Sequence, residues 1–225
     1  MKRIRILKIP VFLACLTPLA LLAWKGYASL LGANPIEVIT RSTGKWTLTF
    51  LLVTLAITPL RRLTGLHWLI RFRRMTGLFA FFYGCLHFLT YIWLDKFFDL
   101  HDVVKDVAKR PFITVGFAAF LLMIPLAVTS TQGWIRRLGG RRWNLLHRLI
   151  YISAIGGVVH FWWLVKADVL RPAIYASALA ALLGYRLLVY AAKSLMRSPA
   201  PRSSSPRRQI SERRRFVSGG YSEVK

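Results

Sequence analysis

The residues of this 225-residue chain best suited to redox or metal chemistry are five histidines: His67, His87, His101, His147 and His160. His87, His147 and His160 stand inside long apolar runs, where an ionisable side chain is expensive and marks a functional site by default. Neutral imidazole is a good iron ligand. Two of them fill both axial positions of a haem and leave none for oxygen or substrate, so a facing pair would pass electrons rather than bind gases. The competing reading of each ring is a neutral imidazole hydrogen-bonded to a neighbouring helix, which three such residues on only two runs weaken. Zinc is the rival metal, but no carboxylate or thiolate accompanies these histidines at useful spacing. His67 and His101 lie in polar connections and read as solvated or interfacial. Cys15 and Cys85 belong to no Cys-x-x-Cys or Cys-x-x-Cys-His pattern, which argues against a disulfide framework, a zinc site and covalent c-type haem attachment. No Walker loop, Gly-x-Gly-x-x-Gly or Gly-x-Ser-x-Gly is present.

The elements that must position these histidines are membrane helices. The chain is 55% hydrophobic yet carries 33 Lys and Arg against 8 Asp and Glu, a net charge of +25, a pairing foreign to an ordinary soluble domain. Nucleic-acid binding needs basic residues spread over a solvated face. Here they cluster between six apolar runs, residues 9–24, 43–60, 75–94, 112–130, 145–165 and 173–192, each near the roughly 20 residues that cross a bilayer. Backbone in lipid must satisfy its own hydrogen bonds, so each run is read as a helix and the fold as all-α, an integral membrane six-helix bundle. The first run resembles a signal peptide in its basic flank, but it holds two prolines, lacks a clean Ala-x-Ala exit and precedes five more spans, so it is read as retained. Short basic loops stay in the cytoplasm. One set of alternating segments carries nine basic and six acidic residues, a net +3, which leaves +22 for the other; both termini are therefore expected to be cytoplasmic, in a bacterial inner membrane. The expected organisation is a basic N-terminus (1–8), the membrane domain (9–197) and a disordered basic tail (198–225), whose affinity is for anionic lipid.

In that orientation His87 lies ~18 Å along the third helix from Met75, and His160 stands six residues before Lys166, so the two share a level in the outer half. Bundle cores are where paired ligands of this kind are built. His147 lies ~19.5 Å deeper than His160 and about 140° around a straight helix from it, so a second haem level at His147 needs a bend, for which Gly156-Gly157 is the candidate. The partner of His147 is open between Met75, by its thioether, and His67 from the loop. Arg73, Arg74, Arg141 and Arg142 are candidates for haem propionates or a flavin phosphate, set against an ordinary positive-inside role. Trp143, Trp162 and Trp163 fit an aromatic belt, and Thr40, Thr43 and Thr47 the start of the second helix. The outer connection 95–110 carries Asp95, Asp99, Asp102 and Asp106 among four basic residues, a mixed surface for weak docking or simply a soluble loop.

Three stretches resemble one family: TSTQGWIRRLGGRRWNLLHRLIYISAIGGVVHFWWLVK (129–166), RRMTGLFAFFYGCLHFLTY (73–91) and NPIEVITRSTGKWTLTFLLVTLAITPLRR (34–62). They are similar to the MsrQ family, formerly YedZ, haem-binding membrane subunits of bacterial periplasmic methionine sulfoxide reductase systems, within the ferric-reductase-like transmembrane group that includes NADPH oxidases. The similarity covers about residues 10–192. It implies b-type haem, one or two, with His87, His147 and His160 as ligands, and FMN as an associated flavin. It further implies electrons taken from quinol or a cytosolic flavin reductase and passed to a periplasmic molybdopterin enzyme that reduces methionine sulfoxide in proteins. Unlike the oxidases, the chain is expected to have no flavin and nicotinamide domain after the sixth helix, and its third helix has one histidine rather than two, so direct use of NADPH is not expected. The rival expectations are a stand-alone metal-ion or quinone reductase, and a transporter or scaffold with packed histidines.

Overall fold

A computed structural model describes residues 2–165 and 168–196, and within them the chain is helical with no strand. The helices are α1 (Lys2–Tyr27), α2 (Pro35–Thr64), α3 (Arg73–Thr90, prolonged by a π-helical turn Tyr91–Asp95), α4 (Leu100–Lys109), α5 (Pro111–Val128), α6 (Gln132–Leu146), α7 (Leu149–Leu164) and α8 (Leu170–Leu195). Six helical segments are long and apolar enough to span a bilayer: those of α1, α2, α3 with its π turn, α5, α6 with α7, and α8. Each of the six apolar runs falls on one of them. The tail 198–225 lies outside the described residues.

The start of α2 lies eight residues before the apolar run because Asn34 caps it. The Asn34 Oδ1 accepts from the Glu37 amide at 3.2 Å, and Pro35 occupies the first helical position, where its missing N–H removes no bond. At the other end Gly65 closes the helix with φ 72°, a left-handed conformation glycine adopts without strain. Two connections expected as loops are helical, α4 and α6, the latter interrupted at Gly139 (φ 74°).

The core is a four-helix arrangement in which α3 runs along α2 and α7 runs along α5. Leu48, Leu51 and Leu55 of α2, Phe79, Ala80 and Tyr83 of α3, and Ile150, Ala154 and Val158 of α7 belong to one buried cluster. Polar groups in this core are paired: Thr54 donates to the Phe50 carbonyl at 2.7 Å and lies 2.9 Å from the Thr76 hydroxyl, and Ser153 donates to the Ala119 carbonyl at 2.8 Å. Helix α1 is fastened through Tyr83, whose hydroxyl donates to the Cys15 carbonyl (2.9 Å) and accepts from the Leu19 amide (3.2 Å). It thus bridges one turn of α1 beside Pro18, where a proline weakens the helical ladder.

The expected bend at Gly156-Gly157 is absent. Helix α7 runs unbroken through both glycines, which serve close packing: a Cβ on Gly156 would stand 3.0 Å from that of Ala119, and one on Gly157 3.4 Å from Leu48. The break falls instead at His147-Arg148, between α6 and α7.

Candidate metal centre

His87 lies on the last turn of α3 and His160 on the last two turns of α7, facing one another between the two helix pairs. Their ring centroids are 6.2 Å apart with planes at 70°. The His87 Nδ1 is 2.9 Å from the carbonyl oxygen of Thr40 on α2, and the His160 Nδ1 is 2.7 Å from that of Phe112 on α5. A carbonyl only accepts, so both Nδ1 atoms carry the proton and both Nε2 atoms keep their lone pairs. Orientation of one ring nitrogen by a backbone carbonyl is how proteins aim metal-binding histidines.

The two imidazoles, 6.2 Å between centroids with both Nε2 lone pairs free, are the donor set of the site. Among the described residues no group of three or more His, Cys, Asp or Glu gathers to hold a metal ion, so the pair lacks the four protein ligands of a closed zinc site and suits a cofactor iron that needs only two.

The second half of each cradle is a glycine. Gly44 follows Thr40 by one turn of α2, and Gly116 follows Phe112 by one turn of α5. A Cβ on Gly44 would stand 2.9 Å from Cε1 and 3.0 Å from Nδ1 of His87; one on Gly116 would stand 2.6 Å from Nδ1 and 2.8 Å from Cγ of His160. Bare backbone at these points lets each ring sink against its neighbour helix until Nδ1 reaches the carbonyl four residues earlier. Sequence reasoning missed Gly44, Gly116 and the carbonyls of Thr40 and Phe112. Glycines inside spans signal close approach, but which side chain approaches is a tertiary fact.

His147 has a different setting. It caps the end of α6, its Nε2 lies 3.1 Å from the Thr129 hydroxyl, and the Trp143 ring stacks on it with centroids 3.9 Å apart. Thr129 donates to the Pro125 carbonyl at 2.6 Å, so it accepts from His147, and the free lone pair of this ring is on Nδ1. Trp143, expected in an aromatic belt, packs on His147 and donates its indole N–H to the Thr129 carbonyl at 2.9 Å. Arg73, half-buried, is within electrostatic reach of His147. Met75 lines a shallow groove with Lys8, Ile9, Phe12 and Leu13 of α1, and His67 is exposed. Arg74, Arg141 and Arg142 are exposed, and Arg142 borders an apolar groove with Leu145, Arg148 and Ile152.

At the opposite end, the four acids of the 95–110 connection divide. Asp99 caps α4, accepting from the Asp102 amide at 3.1 Å. Asp106 pairs with Lys96 at 2.6 Å and Arg110 at 3.4 Å and accepts from the Tyr91 hydroxyl at 3.3 Å. The hydrogen bond from Lys96, followed by the nearby Arg110 charge, holds the Asp106 carboxyl below its usual range, while the same bond raises the Lys96 ammonium above its own. Asp95 and Asp102 are exposed.

The family of ferric reductase like transmembrane components matches residues 43–158, a segment that includes Gly44, His87, Phe112, Gly116 and His147 and ends two residues short of His160. Among similar proteins is the protein-methionine-sulfoxide reductase heme-binding subunit MsrQ of Herminiimonas arsenicoxydans, 56% identical over 82% of this chain and 86% of its own. The subunits of the same name from Ralstonia nicotianae (56% identical, 83% and 87% covered) and Azospira oryzae (52% identical, 91% and 87% covered) are comparable. No solved structure matches the chain.

Proposed function

The chain belongs to the MsrQ family of ferric-reductase-like transmembrane components, multi-pass proteins of the bacterial inner membrane, and we propose on that premise that it is a haem b electron-transfer subunit of a methionine sulfoxide reductase system. The observation that carries this reading is the His87/His160 pair, 6.2 Å between centroids with both Nε2 lone pairs free. A haem held there by His87 and His160 would supply reversible one-electron chemistry. The chain's own residues do the rest: the Thr40 and Phe112 carbonyls hold the two tautomers, Gly44 and Gly116 set how deep the rings lie, and Phe88, Phe117 and Phe120 pack the adjacent space. His147, with Trp143, Thr129 and Arg73 around it, is the ligand for a second haem, and Arg73, Arg74, Arg141 and Arg142 are the candidates for propionate or FMN phosphate oxygens.

Both termini are cytoplasmic in this proposal, which puts the His87/His160 pair in the periplasmic half. Electrons come from quinol or a cytosolic flavin reductase and leave to a periplasmic molybdopterin reductase, which docks at the outer connection, where Asp95 and Asp102 remain exposed. These donors, the acceptor and FMN rest on the family resemblance.

The test is the visible spectrum of the purified full-length protein with haem quantified per chain. His87→Ala and His160→Ala are each expected to abolish a low-spin bis-imidazole signal, and unchanged spectra in both would overturn the assignment. Reoxidation of reduced haem in membranes by the reductase with an oxidised-methionine protein, faster than by free ferric ions, is expected; the reverse order favours a metal-ion reductase.

A further inference from the structure

Arg186, on α8, is a cation within a membrane-spanning segment that meets no carboxylate among the described residues. Its Nη1 donates to the Tyr151 hydroxyl at 2.8 Å, its Nη2 to the Leu55 carbonyl at 2.7 Å, and its guanidinium lies over the Tyr151 ring, 5.2 Å from the centroid. Leu55 is nine residues before the end of α2, about 14 Å along the helix, so this is not an arginine snorkelling at a helix tip. Its Nε is buried without a partner. The Tyr151 hydroxyl accepts from Arg186, and its own proton has no acceptor among the described residues. Arg73 brings a second guanidinium within electrostatic reach of both.

Among the described residues no acid neutralises this charge locally. All six described acids, Glu37, Asp95, Asp99, Asp102, Asp106 and Asp168, lie in the α1–α2, α3–α5 and α7–α8 connections or the helix turns beside them, at the opposite end of the spans from Arg73; Glu212 and Glu223 lie outside the described residues. Arginine stays charged, and a guanidinium held within a membrane span calls for a counter-ion as well as hydrogen bonds. We infer that Arg186, Tyr151 and Arg73 form a binding site for an oxyanion, a carboxylate or phosphate carried by a non-protein ligand. Two sources bring that chemistry to this depth: the acidic groups of a bound cofactor, here the propionates of the second haem proposed at His147, four residues before Tyr151, and the phosphate of an anionic lipid. Only the first rests on the function proposed above.

The experiment compares full-length wild type with Arg186→Gln, Arg186→Lys and Tyr151→Phe. Each is measured for haem midpoint potential, for phosphatidylglycerol retained per chain after exchange into phosphatidylcholine vesicles, and for thermal stability. If a propionate is the anion, Arg186→Gln lowers the midpoint potential, because loss of a positive charge favours the ferric form, and Arg186→Lys largely restores it. If a lipid phosphate is the anion, Arg186→Gln retains at least tenfold less phosphatidylglycerol, Arg186→Lys less than threefold less, and the potential is unmoved. The lipid arm reads out even in a protein that binds no haem. The site is overturned if neither potential nor lipid retention changes in Arg186→Gln and Tyr151→Phe; equal loss of stability in the Gln and Lys variants, with both readouts unchanged, makes Arg186 a helix tie only.

Discussion

At the scale of single residues, the two cradles work by subtraction. Each places a glycine where any side chain would collide with an imidazole, and the collision is worse at Gly116, 2.6 Å from Nδ1, than at Gly44, 2.9 Å from Cε1. Gly116→Ala is therefore expected to weaken haem retention by about 1–3 kcal/mol, roughly five- to 150-fold, with Gly44→Ala at the lower end of that range. Haem per chain after dilution into apo-myoglobin as a scavenger measures both, and an unaffected Gly116→Ala variant would refute the cradle. Tyr83 is a second single-residue dependency. It is 1% exposed, and its hydroxyl serves both the Cys15 carbonyl and the Leu19 amide of α1, so Tyr83→Phe removes the side-chain tie between α1 and α3. Those two backbone groups stand four residues apart and can pair with each other, so the expected loss is about 0.5–1.5 kcal/mol of stability, seen as a lower unfolding midpoint in detergent.

At the scale of elements, α4 depends on the ion pairs of Asp106 and on one cap. Its Asp106 pairs with Lys96 just beyond the π turn that prolongs α3, and both side chains are largely covered, 13% and 15% exposed. Because the folded-state Asp106 pKa is depressed, its contribution is present above the ordinary carboxylate range near 4 and is lost as pH falls through the lower folded value. Because the Lys96 pKa is raised, its contribution persists below about 10.4 and is lost only as pH climbs through the higher folded value. Amide exchange in Leu100–Lys109 is accordingly expected to be flat between about pH 5 and 9 once corrected for intrinsic rates, and to accelerate in acid. Asp106→Asn should reproduce the acid behaviour at pH 7. Equal protection in the variant would mean that Val103, buried against its neighbours, holds α4 by packing alone.

At the scale of the whole molecule, charge is segregated along the spans. The described acids gather at one end, while Arg61, Arg62, Arg71, Arg73 and Arg74 and the arginines of α6 gather at the other. That asymmetry predicts orientation through the preference of short basic loops for the cytoplasm. A reporter fused after Leu195 should be active only in the cytoplasm, and one inserted in the α1–α2 connection before Pro35 only in the periplasm. The opposite pattern would move the His87/His160 pair to the cytoplasmic half and reverse the proposed direction of electron flow.

Hydrophobic length and composition determined the six spans, since a backbone in lipid has no partner but itself, and the histidines inside them announced the chemistry. Counting residues from the helix ends was enough to set His87 and His160 at one level, because helical rise is constant. Rotation and contact were not countable in that way. The expected bend at Gly156-Gly157 failed because glycine permits a kink and close packing equally, and only the neighbouring Ala119 and Leu48 decide between them. The stacking of Trp143 on His147 was likewise not countable, because it depends on the break at His147-Arg148. Gly44, Gly116, the carbonyls of Thr40 and Phe112, and the Arg186–Tyr151 contact each join residues at least 35 apart in the chain. Such pairs carry no periodicity for a sequence to display, and they exist only once α2 lies against α3, α5 against α7 and Arg186 of α8 against Tyr151 of α7.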